Sequence, residues 1–495
     1  MSVEHFDVLI VGAGLSGIGG AHHLQDNCPG KSYAILEARE TIGGTWDLFR
    51  YPGIRSDSDM FTLGYSFRPW TDAKAIADGP SILKYVRQTA QEDGIDRHIR
   101  FQHRVVRAAW SSPDARWTVE SERGPSREIV RHTCNFLHMC SGYYSYAEGY
   151  TPDFPGAAQF RGRIVHPQKW TADVDYSGKR VIVIGSGATA VTLVPEMAKT
   201  AAHVTMLQRS PSYVASLPSV DRIANFLRRI LPLKVAYALS RWKNVLYAML
   251  IYWLSRRRPT IVKKLIRAGA RKELGRDYDM THFTPNYNPW DQRLCLVPDA
   301  DLFKAIRQGR ATMVTDHIDS FTADGIKLKS GKKLQADLIV SATGLKLEAL
   351  GGLQITVDGT HVAFPQTMSY KGMMLSDVPN LAYAVGYTNA SWTLKCDLVS
   401  TYVCRLLNHM DQHGFRQCAP RKTDPSITEE PLLDFTSGYV QRSIENFPKQ
   451  GSKTPWKLHQ NYARDLINLR FGSVDDGAME FSGAVQAANA STVKA

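Results

Sequence analysis

Gly12-Ala13-Gly14-Leu15-Ser16-Gly17, placed directly behind the apolar run 6–11, constrains this chain more than any other feature. An uninterrupted apolar run of that length is what a strand buried on both faces of a parallel sheet requires. The residues after Gly17 read as helix through Leu24, so the glycines occupy a strand–turn–helix frame. Gly12 permits the tight turn, Gly14 lets a pyrophosphate approach the backbone, and Gly17 lets the helix pack on the strand. A diphosphate would then sit beside Ser16 on the free amides of a helix N-terminus, where the peptide dipoles favour negative charge. A second apolar run, 33–36, ends at Glu37, where a carboxylate can hold ribose hydroxyls.

The same frame recurs. Residues 180–184 read as a buried strand, Gly185-Ser186-Gly187-Ala188-Thr189-Ala190 as the turn, and the stretch to Met197 as helix. The next strand, 203–207, ends in Gln208-Arg209-Ser210 with no acid at its tip. An arginine there suits the 2′-phosphate of NADPH rather than a free 2′-hydroxyl. Glu37 does not by itself separate FAD from NAD, and FAD is expected at the first site because flavoenzymes with two such turns usually place it first. Two further strands ending in small-residue turns, at 136–142 and 337–344, bracket the second site. The expected fold is α/β with two Rossmann-like dinucleotide-binding domains: a discontinuous FAD domain at 1–142 and 345–495, and an NADPH domain at 143–344 carrying a helical insertion near 217–283. The Ala-, Ser- and Gly-rich tail, 482–495, is expected to be disordered.

The net charge of +13 would suggest a nucleic-acid binder if it were spread evenly. Between Arg222 and Arg276, however, fifteen Lys or Arg face a single acid, Glu273, so one segment carries the whole excess. Within it, residues 245–254 are ten apolar residues flanked by Lys243 and Arg256-Arg257-Arg258. A transmembrane helix needs about twenty. The options are a buried helix of a helical subdomain and an interfacial helix on anionic lipid. Seven scattered cysteines, none in a CxxC pair, argue against a disulfide framework or a zinc site. The N-terminus has no basic stretch before its apolar run and reads as a strand rather than a secretory signal, and the scattered cysteines point to a reducing cytosol, so the expected location is cytoplasmic.

Phe160-Arg161-Gly162 through His166 to Trp170 resembles the FxGxxxHxxxW fingerprint of type I Baeyer–Villiger flavin monooxygenases. Gly43-Gly44-Thr45-Trp46, Tyr51-Pro52-Gly53 and Asp57 resemble that family's second motif, and the wording of nearly the whole chain is similar to its mycobacterial, ethionamide-activating subgroup. The resemblance implies FAD, NADPH and O2, with oxygen inserted into ketones and added to soft sulfur atoms. It implies that Arg293, in Pro289-Trp290-Asp291-Gln292-Arg293, is the fixed cation beside the flavin, and that Asp57 orients it. Thr45, Trp46, Asp47, Leu48, Arg55 and Ser56 are expected on the FAD, and Val105 on its adenine side. His166 is expected to be structural, near the domain linker, and the helical insertions that the resemblance implies favour a buried helix at 245–254 over an interfacial one. Gln292 replaces a lysine of ketone-oxidising relatives, which leaves the 2′-phosphate to Arg209. Thr171 departs from the fingerprint's closing proline or aspartate, which keeps open a flavin-containing monooxygenase acting mainly on nitrogen or sulfur. A disulfide reductase would need a redox cysteine pair after the first glycine turn, and the sequence has none.

Overall fold

In a computed structural model, which describes residues 3–483 apart from Asp434, two sheets, one mixed and one parallel, each carry one of the glycine turns. The first is nine-stranded. Its centre is the strand Glu4–Val11, which runs parallel to Tyr33–Leu36 on one side and to Glu128–Met139 on the other. Val8, Leu9 and Ile10 are each exposed by 1% or less, as the apolar run demands of a strand covered on both faces. An antiparallel meander, His103–Ser111 to Arg116–Arg123 to Glu128–Met139, extends this sheet. Helices Leu15–Asn27 and Trp392–His413 pack together as part of the layer over one face.

The second sheet is five-stranded and parallel throughout, in the order Ala311–Thr315, His203–Gln208, Arg180–Ile184, Leu338–Ser341, Arg163–Val165. The chain leaves the first sheet after Met139 and returns to it at Gln354–Val357. Both crossings run through one small antiparallel pair, Tyr144–Gly149 with Leu345–Leu347, so the linkers between the sheets brace each other.

The inserted segment folds into helices Arg222–Ile230, Leu233–Arg257 and Pro259–Leu274. The expectation of a buried helix at 245–254 does not hold. Val245 is 2% exposed, but Leu246, Leu250 and Trp253 are each more than half exposed. A run of apolar residues does not reveal which side of a helix has a partner, and here only one side does. The expected tail largely falls outside the described residues; its first position, Ser482, pairs with Gln417 at the end of the strand Met479–Ser482.

Candidate active site

Both glycine turns open on one cavity of about 1360 Å³. An ordinary small-ligand pocket occupies roughly 300–1,000 Å³, so this one has room beyond a single small molecule. At the first turn Gly12 has φ +104°, and a Cβ there would lie 2.6 Å from the Cys140 carbonyl oxygen. A Cβ on Gly17 would lie 1.8 Å from the oxygen of Gly12. Gly17 therefore lets the helix close on the turn, and Gly12, Gly14 and Ser16 line the cavity. Helix Leu15–Asn27 starts at Gly14 with no side-chain cap and no acid in its first turn, which leaves its amides open to an anion.

Glu37 is buried, and burial raises its carboxyl above the usual range. Its oxygens accept from the amides of Ala13 at 2.7 Å and Arg39 at 2.9 Å, so it pins the glycine turn while lining the cavity. The second motif folds against the first: Gly43 donates its amide to Ala13, and a Cβ on Gly44 would stand 3.1 Å from Gly14 Cα. Gly44, Thr45, Trp46, Arg55, Ser56, Asp57 and Val105 all reach the cavity wall. Asp47 and Leu48 are not on it. Asp47 is 3% exposed and gathers Arg39, Arg50 and Arg87 around its carboxylate, so its role is to fix the loop.

The second turn repeats the architecture. Gly185 has φ +135°, helix Ala188–Met197 starts uncapped at Gly187, and Gly185, Ser186, Gly187, Ala188 and Thr189 line the cavity. Ala190 is fully buried in the second core and takes no part in the wall. Arg209 and Ser210 lie exposed at the cavity's edge.

Residues 51–57 fasten the two halves together. A Cβ on Gly53 would meet Glu196 Cβ at 2.9 Å, so this loop presses on the second dinucleotide helix. Arg55, a lining residue of the cavity, donates Nη1 to Asp301 at 2.6 Å, while its Nη2 is buried and has no hydrogen-bond partner among the described residues. Arg293 meets Asp57 at 2.8 Å across the same junction, both side chains about one-third exposed to the cavity. The Asp57 carboxylate holds the guanidinium well above its ordinary range. The turn that delivers Arg293 holds Trp290 at φ +71°, a conformation bulky side chains rarely adopt.

Sequence reading missed the aromatic wall around this pair. Tyr143, Tyr144 and Tyr439 surround Arg293, with Tyr144 and Tyr439 pushed by burial up to about 12, so they stay protonated. Trp392 stacks on Tyr143 at 5.0 Å and donates its indole N–H to Ser16. Arg442, whose guanidinium lies 3.5 Å from the Tyr150 ring centre, is also on the wall. His166 lies at the linkers, as expected. Its Nε2 donates to the Gly344 carbonyl at 3.1 Å and its Nδ1 accepts from Gln168. All seven cysteines are buried and unpaired.

The donor set suits two dinucleotides: two uncapped helix starts, a ribose-side carboxylate, an edge arginine and one cavity joining them. Comparison with known proteins agrees. A family profile described as flavin-binding monooxygenase-like matches residues 59–346, and one described as an NAD(P)-binding Rossmann-like domain matches residues 10–77. The chain is 56% identical over 481 residues to the FAD-containing monooxygenase EthA of Mycobacterium tuberculosis, covering 97% of this chain and 98% of that one. It is 48% identical to the probable FAD-binding monooxygenase AlmA of Acinetobacter baylyi, over 97% and 96% of the two chains. In fold it matches NADP+-bound cyclohexanone monooxygenase from Rhodococcus sp. Phi1, with a TM-score of 0.76 at 20% identity, over 98% of this chain and 100% of that one.

Proposed function

Because the chain belongs to the flavin-binding monooxygenase-like family, we propose that it is an NADPH-dependent enzyme that inserts one oxygen atom of O2 into ketones to give esters or lactones, and that it oxidises thioether or thioamide sulfur at the same centre. The observation that carries this reading is the Arg293–Asp57 pair on the wall of the shared cavity. Bound FAD supplies the redox and oxygen chemistry; Gly12, Gly14, Ser16 and Glu37 would hold it, and Gly185 to Thr189 with Arg209 would hold NADPH.

The chain's own contribution is positioning and charge. A ketone under attack develops negative charge on its carbonyl oxygen, and a guanidinium that never deprotonates and presents a rigid fork of donors stabilises it. Asp57 fixes where that fork points. Tyr143, Tyr144 and Trp392 line the wall with ring surface that excludes water. Oxidation of sulfur or nitrogen places no such demand on Arg293, so the pair favours ketones over a reading confined to heteroatoms. A cytoplasmic enzyme held at the inner face of the membrane through residues 222–276 fits substrates of low polarity.

The test is a panel of linear and cyclic ketones with one thioether, given to the FAD-loaded enzyme with NADPH and 18O2. Labelled esters or lactones are expected. Labelled sulfoxide with no ester from any ketone would establish the heteroatom enzyme instead, and NADPH oxidation without label in any product would exclude both.

A further inference from the structure

Nineteen large apolar side chains are exposed among the described residues, and fourteen of them fall between Val220 and Leu265. Isolated exposed apolar residues are ordinary; a concentration of this kind marks a surface that meets something. The helix Leu233–Arg257 shows how the face is made. Tyr237, Ser240, Arg241 and Val245 are buried on one side. Arg241 donates to the carbonyls of Phe61 and Gly64 at 2.8 Å and pairs with Asp397 at 3.4 Å, and Asn244 donates to Asp59 at 2.8 Å. The helix is therefore clamped to the first domain. Val235, Leu239, Trp242, Leu246, Leu250 and Trp253 are exposed and recur every three or four residues, which is a single stripe. At about 100° per residue that stripe points away from the clamped side.

The neighbouring helices continue it. Ile223, Phe226 and Ile230 are exposed at the same spacing on Arg222–Ile230, as are Ile261 and Leu265 on Pro259–Leu274. Exposed cations stand among them, including Arg222, Arg229, Lys234, Arg257, Arg258 and Lys264. Between Arg222 and Arg276 there is only Glu273 against them. A second copy docking here would bring like charge onto like charge, because a twofold interface pairs a patch with itself. No helix among the described residues is long and apolar enough to cross a membrane. Apolar side chains ringed by Lys and Arg match the boundary of an anionic bilayer, where acyl chains take the first and phosphates the second.

The face also reaches the site. Val245 and Met249 pack with Tyr387 and Ala390, which line the cavity. Arg256 pairs with Asp291 at 2.9 Å, and Tyr252 lies 5.5 Å from Trp290, in the turn that delivers Arg293.

We propose that helices 222–274 dock this protein peripherally on an anionic lipid bilayer, and that the cavity draws its substrate, a lipid-dissolved ketone or sulfide, from that side. The substrate class rests on the proposed oxidation; the docking does not.

The experiment is co-sedimentation of the full-length, FAD-loaded protein with vesicles of equimolar phosphatidylglycerol and phosphatidylcholine, and with phosphatidylcholine vesicles alone. Binding to the anionic vesicles is expected, weakened by salt and nearly absent without phosphatidylglycerol. The triple change Leu246→Ser, Leu250→Ser, Trp253→Ser should weaken it by ~10-fold or more while flavin absorbance and the thermal midpoint stay unchanged. A second variant, Arg257→Glu, Arg258→Glu, Lys264→Glu, should remove the salt-sensitive part and guards against misfolding of the first. No sedimentation of the unaltered protein would overturn the proposal. So would equal binding by both variants, or a dimer in light scattering that the triple change dissolves. Docking without oxygenation of any ketone or sulfide would strike the proposed reaction alone.

Discussion

Arg293 is the residue on which the chemistry turns, because it brings a permanent charge from one domain onto a carboxylate of the other. In Arg293→Ala the cavity, the glycine turns and the Asp57 loop remain, so the variant should bind FAD and still consume NADPH. Ester or lactone product from a ketone should fall by ~100-fold or more, the cost of one preorganised donor, with hydrogen peroxide taking up the electrons. Arg293→Lys should recover little, since an ammonium lacks the fork and holds its water more tightly. Asp57→Asn should give a milder form of the same uncoupling. Measuring product, NADPH and peroxide together decides this; near-normal ester yield from Arg293→Ala would move the oxygenating centre elsewhere. Arg209 makes a separate prediction. Arg209→Ala should raise the KM for NADPH roughly tenfold or more, the scale of a charge-assisted hydrogen bond, and leave that for NADH nearly unchanged. Equal losses with both cofactors in steady-state kinetics would show that Arg209 does not read the phosphate.

At the scale of elements, the two linker strands are locked by a fit between His166 and Gly149. A Cβ on Gly149 would lie 2.0 Å from His166 Cε1, and that ring holds the Gly344 carbonyl. Gly149→Ala should therefore displace the ring and release the second linker, destabilising the protein by about 1–3 kcal/mol, as overpacking of a closed site does. His166→Ala should cost less, because it leaves space rather than a clash. A thermal midpoint for Gly149→Ala within about 1 °C of the parent would sink this account. The glycine turns were legible in the sequence because their chemistry is local: residue types at fixed offsets between one strand and one helix. The pairing of Arg293 with Asp57 is not local, and only family resemblance brought the two together. Tyr143, Tyr439 and Trp392 could not be found at all, since an aromatic on a cavity wall and one in a core read alike in sequence. Residues 245–254 misled for a related reason: their composition sets how apolar the helix is, but not which side another domain covers.

For the whole molecule, the cost of burying ionisable groups predicts how stability follows pH. His138 sits near the end of the strand Glu128–Met139, its ring against Gly20 of the first dinucleotide helix, 2% exposed. Burial, with His23 nearby, pushes its pKa down to about 4. Above pH ~6.5 the ring is neutral in folded and unfolded chains alike and has no effect on stability. As pH falls from there to about 4, the unfolded chain takes a proton that the folded one refuses, so stability falls. Over the full window the loss is on the order of 3 kcal/mol. His132, His166 and His282 are lowered by burial as well and act in the same direction. Glu37 and Asp59 are raised by burial, bind protons first in the folded state, and offset part of the loss. The net curve therefore does not isolate His138, but the difference from His138→Gln does, since the other groups are common to both proteins. Urea midpoints of the FAD-loaded protein, taken from pH 8 to pH 4.5, should fall more steeply than those of the variant as pH drops, because the parent incurs a protonation penalty that the variant lacks. If the two curves stay parallel across that range, His138 is not the buried neutral base that its surroundings make it.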